Sequence, residues 1–265
     1  MSIFALAATV LMLAAAPAPP QPAPLPKPSA PVLFIFAHPD DEIFIAPLAA
    51  ALARRGVPMV VAFATQGERG APPDGSIAAG PGLAVIRRAE AGCSAAILGI
   101  APPRFLGFQD GSLGDRVQPT NARLTALGTA IRALVTDVGP RAIVTWGPDG
   151  GYGHPDHRLV SAVTTAVVLG IVGGPPLFFP GVPADALAAH PQRVIAWTGV
   201  DPALLTMRVP FVAADAAAAR AAATCHHSQF GSPQVVDAIE ADLIGVLGGA
   251  IHLRPARPIH GNPFR

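Results

Sequence analysis

The sequence predicts an α/β fold, a Rossmann-like, mostly parallel sheet with helices on both faces, in a single domain over residues 32–265. Three observations predict it. From Val32 onward, short apolar runs alternate with longer segments of helical character, the pattern of parallel strands joined by crossover helices. The chain has 265 residues and its first 31 read as separable, which leaves a length that one core can serve. Hydrophobic residues make up 51% of the chain and charged residues 13%, but alanine scattered among polar positions dominates the apolar share, as in a packed soluble protein.

Taken in order, Ile3 to Ala16 form an uncharged run shorter than the ~20 residues of a spanning helix, ending in Ala14-Ala15-Ala16. Residues 1–16 are therefore expected to be an export signal or, since no Lys or Arg precedes the run and Pro17 follows it directly, an N-terminal anchor. On this reading the protein is exported, periplasmic or secreted; it is cytoplasmic if the run is not a signal. Residues 17–31 are rich in Pro and Ala and are expected to form an extended linker without a core. Strands are expected at Val32–Ala37, Val57–Thr65, Arg104–Phe108 and Ala142–Trp146, followed respectively by helices at Glu42–Arg55, Leu83–Leu98, Asn121–Val138 and Pro155–Ile171. Two more strands, Pro176–Phe179 and Val194–Thr198, precede helices near Asp215–His226 and Pro233–Leu247. The uncharged stretch from Leu159 to Ala184 is long enough to span a membrane, but Gly173-Gly174-Pro175-Pro176 interrupts it, and a buried helix followed by a strand accounts for it.

The formal net charge of +1 is spread along the chain, and the pairs Arg54-Arg55 and Arg87-Arg88 read as solvated helix faces without aromatic partners, so no nucleic-acid footprint is expected. Cys93 and Cys225 fall in helical segments and are expected to be free, buried thiols; an oxidising compartment permits a disulfide, but their spacing does not say whether they approach.

The chemistry is carried by His38-Pro39-Asp40-Asp41-Glu42, directly after the first strand. His38 and Asp41 are spaced so that one helical turn presents both toward a single point. Three consecutive acids can cap a helix, but capping needs one, and three beside a histidine repel one another unless a cation neutralises them. A second copy, His154-Pro155-Asp156-His157, follows Gly147–Gly153 at the junction after the fourth strand. Such junctions lie at the carboxyl edge of a parallel sheet, where ligands bind. His38, Asp41 and His157 supply two imidazoles and a carboxylate, a set that suits zinc and leaves a coordination position open, so that hydroxide becomes available near neutral pH. Asp40 is left as a carboxylate placed to serve as general base.

This constellation resembles the PIG-L / LmbE-like family of zinc-dependent de-N-acetylases over nearly the whole chain after Pro31. The resemblance rests on Ala37 to Glu42, on His154 to His157 and, less specifically, on Thr65 to Gly70, Arg87 and Glu90, Leu106 to Gly111 and His226-His227-Ser228-Gln229. It implies that His38, Asp41 and His157 bind zinc, that Asp40 is the general base, and that His154 stabilises the oxyanion or protonates the leaving amine with Asp156 biasing its charge. It further implies that Tyr152 closes over the substrate, and that Arg69 and Asp110 line the substrate pocket. The expected reaction is removal of an N-acetyl group from a GlcNAc-type amino sugar or glycoconjugate, a small-molecule substrate. Where the family has a lysine before its last motif, this chain offers Arg220; His227 reads as a solvent-facing neighbour, and His190, His252 and His260 as surface or loop histidines.

Two other readings compete. Two histidines and a carboxylate also form the facial triad of non-haem Fe(II) oxygenases, and Fe(II) shares such ligands with zinc, but that reading leaves Asp40 and Glu42 without work. A non-catalytic sugar-binding member would not need the full ligand set and base, and no G-x-G-x-x-G follows the first strand to hold a dinucleotide. The sequence names neither the sugar nor the oligomeric state.

Overall fold

A computed structural model describes residues 30–72, 74–113, 121–190 and 196–265; the expected signal and all but the end of the linker lie outside the described residues. The elements run β1 (Val32–Phe36), a 3-10 turn (Asp41–Ile45), α1 (Ala46–Arg54), β2 (Met59–Phe63), α2 (Pro81–Ile97), β3 (Arg104–Phe105), α3 (Asn121–Val138) and β4 (Ala142–Thr145). They continue through a helical turn α4 (Gly150–Gly153), α5 (Pro155–Leu169), β5 (Leu177–Pro183), α6 (Ala184–Ala189), β6 (Gly199–Val200), a second 3-10 turn (Pro202–Leu204) and β7 (Met207–Pro210). The last elements are α7 (Ala213–Cys225), the short α8 (His227–Phe230), α9 (Pro233–Leu247) and β8 (Ala250–Pro255).

The sheet order is β3-β2-β1-β4-β5-β8-β7, with β6 paired to β5. Pairings from β3 to β5 are parallel, and β8 enters antiparallel to both β5 and β7. Every residue of β1 is buried, and its alternation divides the core. Val32, Phe34 and Phe36 face one layer with residues of α1, α2, α7 and α9, while Leu33, Ile35 and Ala37 face the other with α3 and α5. This is the two-faced burial that makes central parallel strands read as continuous apolar runs.

The mostly parallel sheet with helices on both faces is the expected architecture, and Leu159–Ala184 divides into α5 and β5. No helix among the described residues is long and apolar enough to cross a membrane. Several expectations are corrected. The first helix does not begin at Glu42: Pro47 sits in its first turn, and the five residues before Ala46 take a tighter 3-10 turn. Residues 196–198 are not a strand, and the rest of the expected Val194–Thr198 lies outside the described residues. Strands β7 and β8 were not anticipated. The thiols are not free: Cys93 and Cys225 form a disulfide joining α2 to the end of α7, with Cα atoms 5.9 Å apart, and Cys93 is exposed rather than buried.

A candidate metal centre at the switch point of the sheet

Strands β1 and β4 are neighbours, and the chain leaves them in opposite directions, β1 toward α1 on one face and β4 toward α5 on the other. The crevice at such a reversal, outside the carboxyl ends of the strands, is where open α/β sheets bind ligands. His38 follows β1 and His157 sits in the first turn of α5, so the two distant motifs meet there.

The Asp41 carboxylate fixes the first loop. Its Oδ2 accepts the amides of Ala37 and His38 at 2.9 and 3.0 Å, and its Oδ1 lies 2.9 Å from Nε2 of His157. His38 Nδ1 stands 3.2 Å from the same His157 nitrogen and 4.0 Å from Asp41 Oδ1. With bonds near 2.0–2.2 Å, ligand atoms of a tetrahedral zinc lie roughly 3.3–3.5 Å apart, so these three donors fit one small divalent ion. His38, His154 and His157 also come close enough to share an ion, as do His38, Asp110 and Asp156. The two ring nitrogens of His38 face different partners: Nδ1 faces Asp41 and His157, whereas Nε2 is taken by Asp110 Oδ1 at 3.0 Å and Asp156 Oδ2 at 3.3 Å. His157 is held in turn, its Nδ1 bonded to the Gly150 carbonyl at 3.1 Å and its ring stacked on Trp146 with centroids 4.8 Å apart. Ligating imidazoles need this kind of outer support to keep their orientation.

Charge tells the same story. Burial lowers the His38 pKa, but hydrogen bonds to Asp110 and Asp156 and the Asp41 charge overcome it and push it to about 10. Against a burial penalty in the other direction, His157 and His38 hold Asp41 far below the usual carboxylate range.

The three consecutive acids do not crowd one site, as the repulsion argument supposed; they diverge to separate partners. Asp40 adopts φ 95°, the one non-glycine residue with positive φ among the described residues, and its Oδ2 meets Arg87 Nη2 at 3.1 Å. Burial, countered by Arg87, pushes its carboxyl up to about 6. Glu42 turns into the protein, where His226 Nε2 lies 2.6 Å from its Oε1. Asp110 contacts His38 Nε2 through Oδ1 and accepts the Arg69 amide at 2.8 Å through Oδ2. Asp156 meets His154 through its backbone, its amide donating to His154 Nδ1 at 3.2 Å, while its carboxylate goes to His38 and the Gly111 amide. Burial lowers the His154 pKa to about 4, with the His38 and His157 charges adding to the effect.

Tyr152 is 44% exposed, its ring set edge-on to that of His157 with centroids 5.2 Å apart, and burial with the Asp41 and Asp40 charges raises its hydroxyl pKa. Arg69 is exposed and lines a cleft of 590 Å³ with Gln66, Pro81, Val85 and Gln109. Among the other histidines, His190 and His260 are exposed, His252 is half-buried on β8, and His227 is exposed with its Nδ1 2.9 Å from Glu90. Arg87 is buried, not part of a solvated face, and only Arg88 of that pair is exposed. Trp146 was not singled out in the sequence; its place at the end of β4, just before the glycine-rich loop, was the available signal.

The GlcNAc-PI de-N-acetylase (PIG-L) family model matches residues 33–168, which contain every candidate ligand. A 1D-myo-inositol 2-acetamido-2-deoxy-alpha-D-glucopyranoside deacetylase of Rhodococcus erythropolis is 34% identical over 183 residues, 63% of this chain and 58% of that protein, so the match spans little more than half of the relative. The N,N'-diacetylchitobiose deacetylase of Pyrococcus horikoshii superposes with a TM-score of 0.63 at 19% identity over 85% of this chain and 83% of its own. A 4-carboxy-2-hydroxymuconate hydratase from Pseudomonas putida KT2440 gives 0.60 at 18% identity over 88% and 98%, so the fold by itself does not select the reaction. With more than half of the chain matched and both histidine motifs inside the match, the chain belongs to the PIG-L family, whose members are metal-dependent.

Proposed function

We propose that this chain is a hydrolase that removes an N-acetyl or other N-acyl group from a GlcNAc-type amino sugar or glycoconjugate, with zinc as its metal and His38, Asp41 and His157 as the ligands. The observation that carries the reading is the meeting of three donor atoms from two distant motifs within 2.9–4.0 Å of one another. Bound there, zinc supplies Lewis acidity and lowers the pKa of water from 15.7 toward about 7.

The chain's own residues supply the rest. Asp40, with a carboxyl near 6, is ionised at neutral pH and accepts the proton of the attacking water. His154 is neutral at that pH, and because its Nδ1 accepts the Asp156 amide its proton sits on Nε2, from which it donates to the developing oxyanion. Tyr152, protonated and half-exposed beside His157, is the second donor to that oxygen. Asp110 and Asp156 orient His38. Arg69 and the cleft it lines receive the portion of the substrate beyond the sugar. The disulfide supports an exported enzyme, since disulfides persist in oxidising compartments.

The test is a panel of N-acetylated amino sugars offered to the metal-loaded protein, with new primary amine as readout. Asp40→Ala is expected to retain metal and lose turnover by about 10²–10⁴-fold, whereas His157→Ala loses the metal itself. Absence of amine from every amino sugar, in protein carrying a full complement of metal, sinks the proposal.

A further inference from the structure

We propose that the Cys93–Cys225 disulfide, with Ser94 and His226, forms a clamp that fixes Asp40 through Glu42. The proposal rests on the reading of Asp40 as general base. Glu42 is fully buried and each of its oxygens is engaged. Oε2 accepts the backbone amide of Asp40 at 2.9 Å. Oε1 accepts from Ser94 Oγ at 2.7 Å and from His226 Nε2 at 2.6 Å. The two donors come from different helices, Ser94 from α2 and His226 from the residue that caps α7.

Each donor is the immediate successor of a bonded cysteine, Ser94 of Cys93 and His226 of Cys225. The covalent bond therefore sets the separation of the two groups that grip Glu42. Asp40 needs such a grip, because a side-chain-bearing residue keeps a left-handed conformation only where its surroundings impose it. The same helix that carries Cys93 and Ser94 also sends Arg87 to the Asp40 carboxylate at 3.1 Å and to the carbonyl of Pro39. Helix α2 thus holds the side chain of Asp40 directly and its backbone through Glu42, and the disulfide ties that helix to the other half of the grip. Ser94 and His226 are positioning residues. Cys93 is exposed, so a reductant reaches the bond although the residues it organises are buried.

The experiment compares the metal-loaded, oxidised protein with the same protein after a dithiol has been oxidised to its cyclic disulfide, leaving two thiols at Cys93 and Cys225, and with the Cys93→Ser/Cys225→Ser double variant. All are assayed well below their melting temperatures. The expected result is a kcat lower by about tenfold to a hundredfold, as small misplacements of a catalytic group produce, with KM within about twofold and metal content unchanged. Backbone amide exchange over residues 40–43 is expected to quicken in step. His226→Ala should behave likewise, and His226→Gln, which keeps an N–H donor, should recover part of the rate. Unchanged kcat and exchange on reduction overturn the clamp, as does a lower melting temperature with residues 40–43 no less protected. If the oxidised protein releases no amine from any amino sugar, the deacetylase reading fails, and the exchange measurement alone decides whether the clamp exists.

Discussion

Two carboxylate oxygens, from Asp110 and Asp156, lie 3.0 and 3.3 Å from one nitrogen of His38, and they determine which nitrogen is left for a metal. Asp110→Asn is therefore expected to weaken metal binding by about 10–100-fold in a competition titration, whereas a residue that only touched substrate would raise KM and leave the metal affinity alone. A second prediction concerns Glu240, buried on α9 with neither oxygen hydrogen-bonded among the described residues. Burial, eased only by Arg220, pushes its carboxyl from 4.5 up to about 7. The folded state thus holds this proton more tightly than the unfolded one, so the contribution of Glu240 to stability is fully present below about pH 4.5 and is lost as pH rises through about 7. Glu240→Gln should raise the melting temperature at pH 8, change it little at pH 4, and flatten the decline between. At this scale the sequence revealed the clustered residues, His38 to Glu42 and His154 to His157, because neighbours in the chain stay neighbours in space. It could not reveal that Asp110 serves His38 or that Glu42 serves Asp40, since those partnerships are made only by folding.

The loop entering α5 shows how an element governs a ligand. Gly151 has φ 76°, and a Cβ there would fall 2.7 Å from Trp146 Cζ3, whose indole stacks on His157. Gly151→Ala should displace the indole, and the expected outcome is a metal affinity lower by about tenfold or more with the melting temperature also reduced, read by titration and calorimetry. The alternation of strand and helix from Val32 to Leu169 was legible because apolar runs, breaks and helix lengths agree over that whole stretch. The elements beyond it were not. Met207–Pro210 and Ala250–Pro255 are short and carry Pro, Arg and His among their apolar residues. Ala250–Pro255 becomes a strand because β5 offers an edge, and Met207–Pro210 because β8 then offers the next, a tertiary cause that local pattern does not record. The shift of the first helix start to Ala46 has a local cause, Pro47, which a stricter reading of proline at a helix N-terminus could have found.

For the molecule as a whole, the disulfide closes a separation of 132 residues and restricts the unfolded chain accordingly. The Cys93→Ser/Cys225→Ser variant is expected to lose about 2–4 kcal/mol of unfolding free energy in urea, a result that a calibrated denaturation curve checks. The sequence favours free thiols, and residue spacing cannot correct that because it says nothing of approach in space. The order of the sheet has a consequence for how the protein comes into being. β8 lies between β5 and β7, so two strands made earlier wait for one made after them. While the polypeptide is still emerging from a ribosome or a translocation pore, β5 has an open rim and β7 lacks its strand partner. A nascent chain halted short of Ala250 would present unsatisfied amides along that rim, and helpers that bind such edges during synthesis would find their target there.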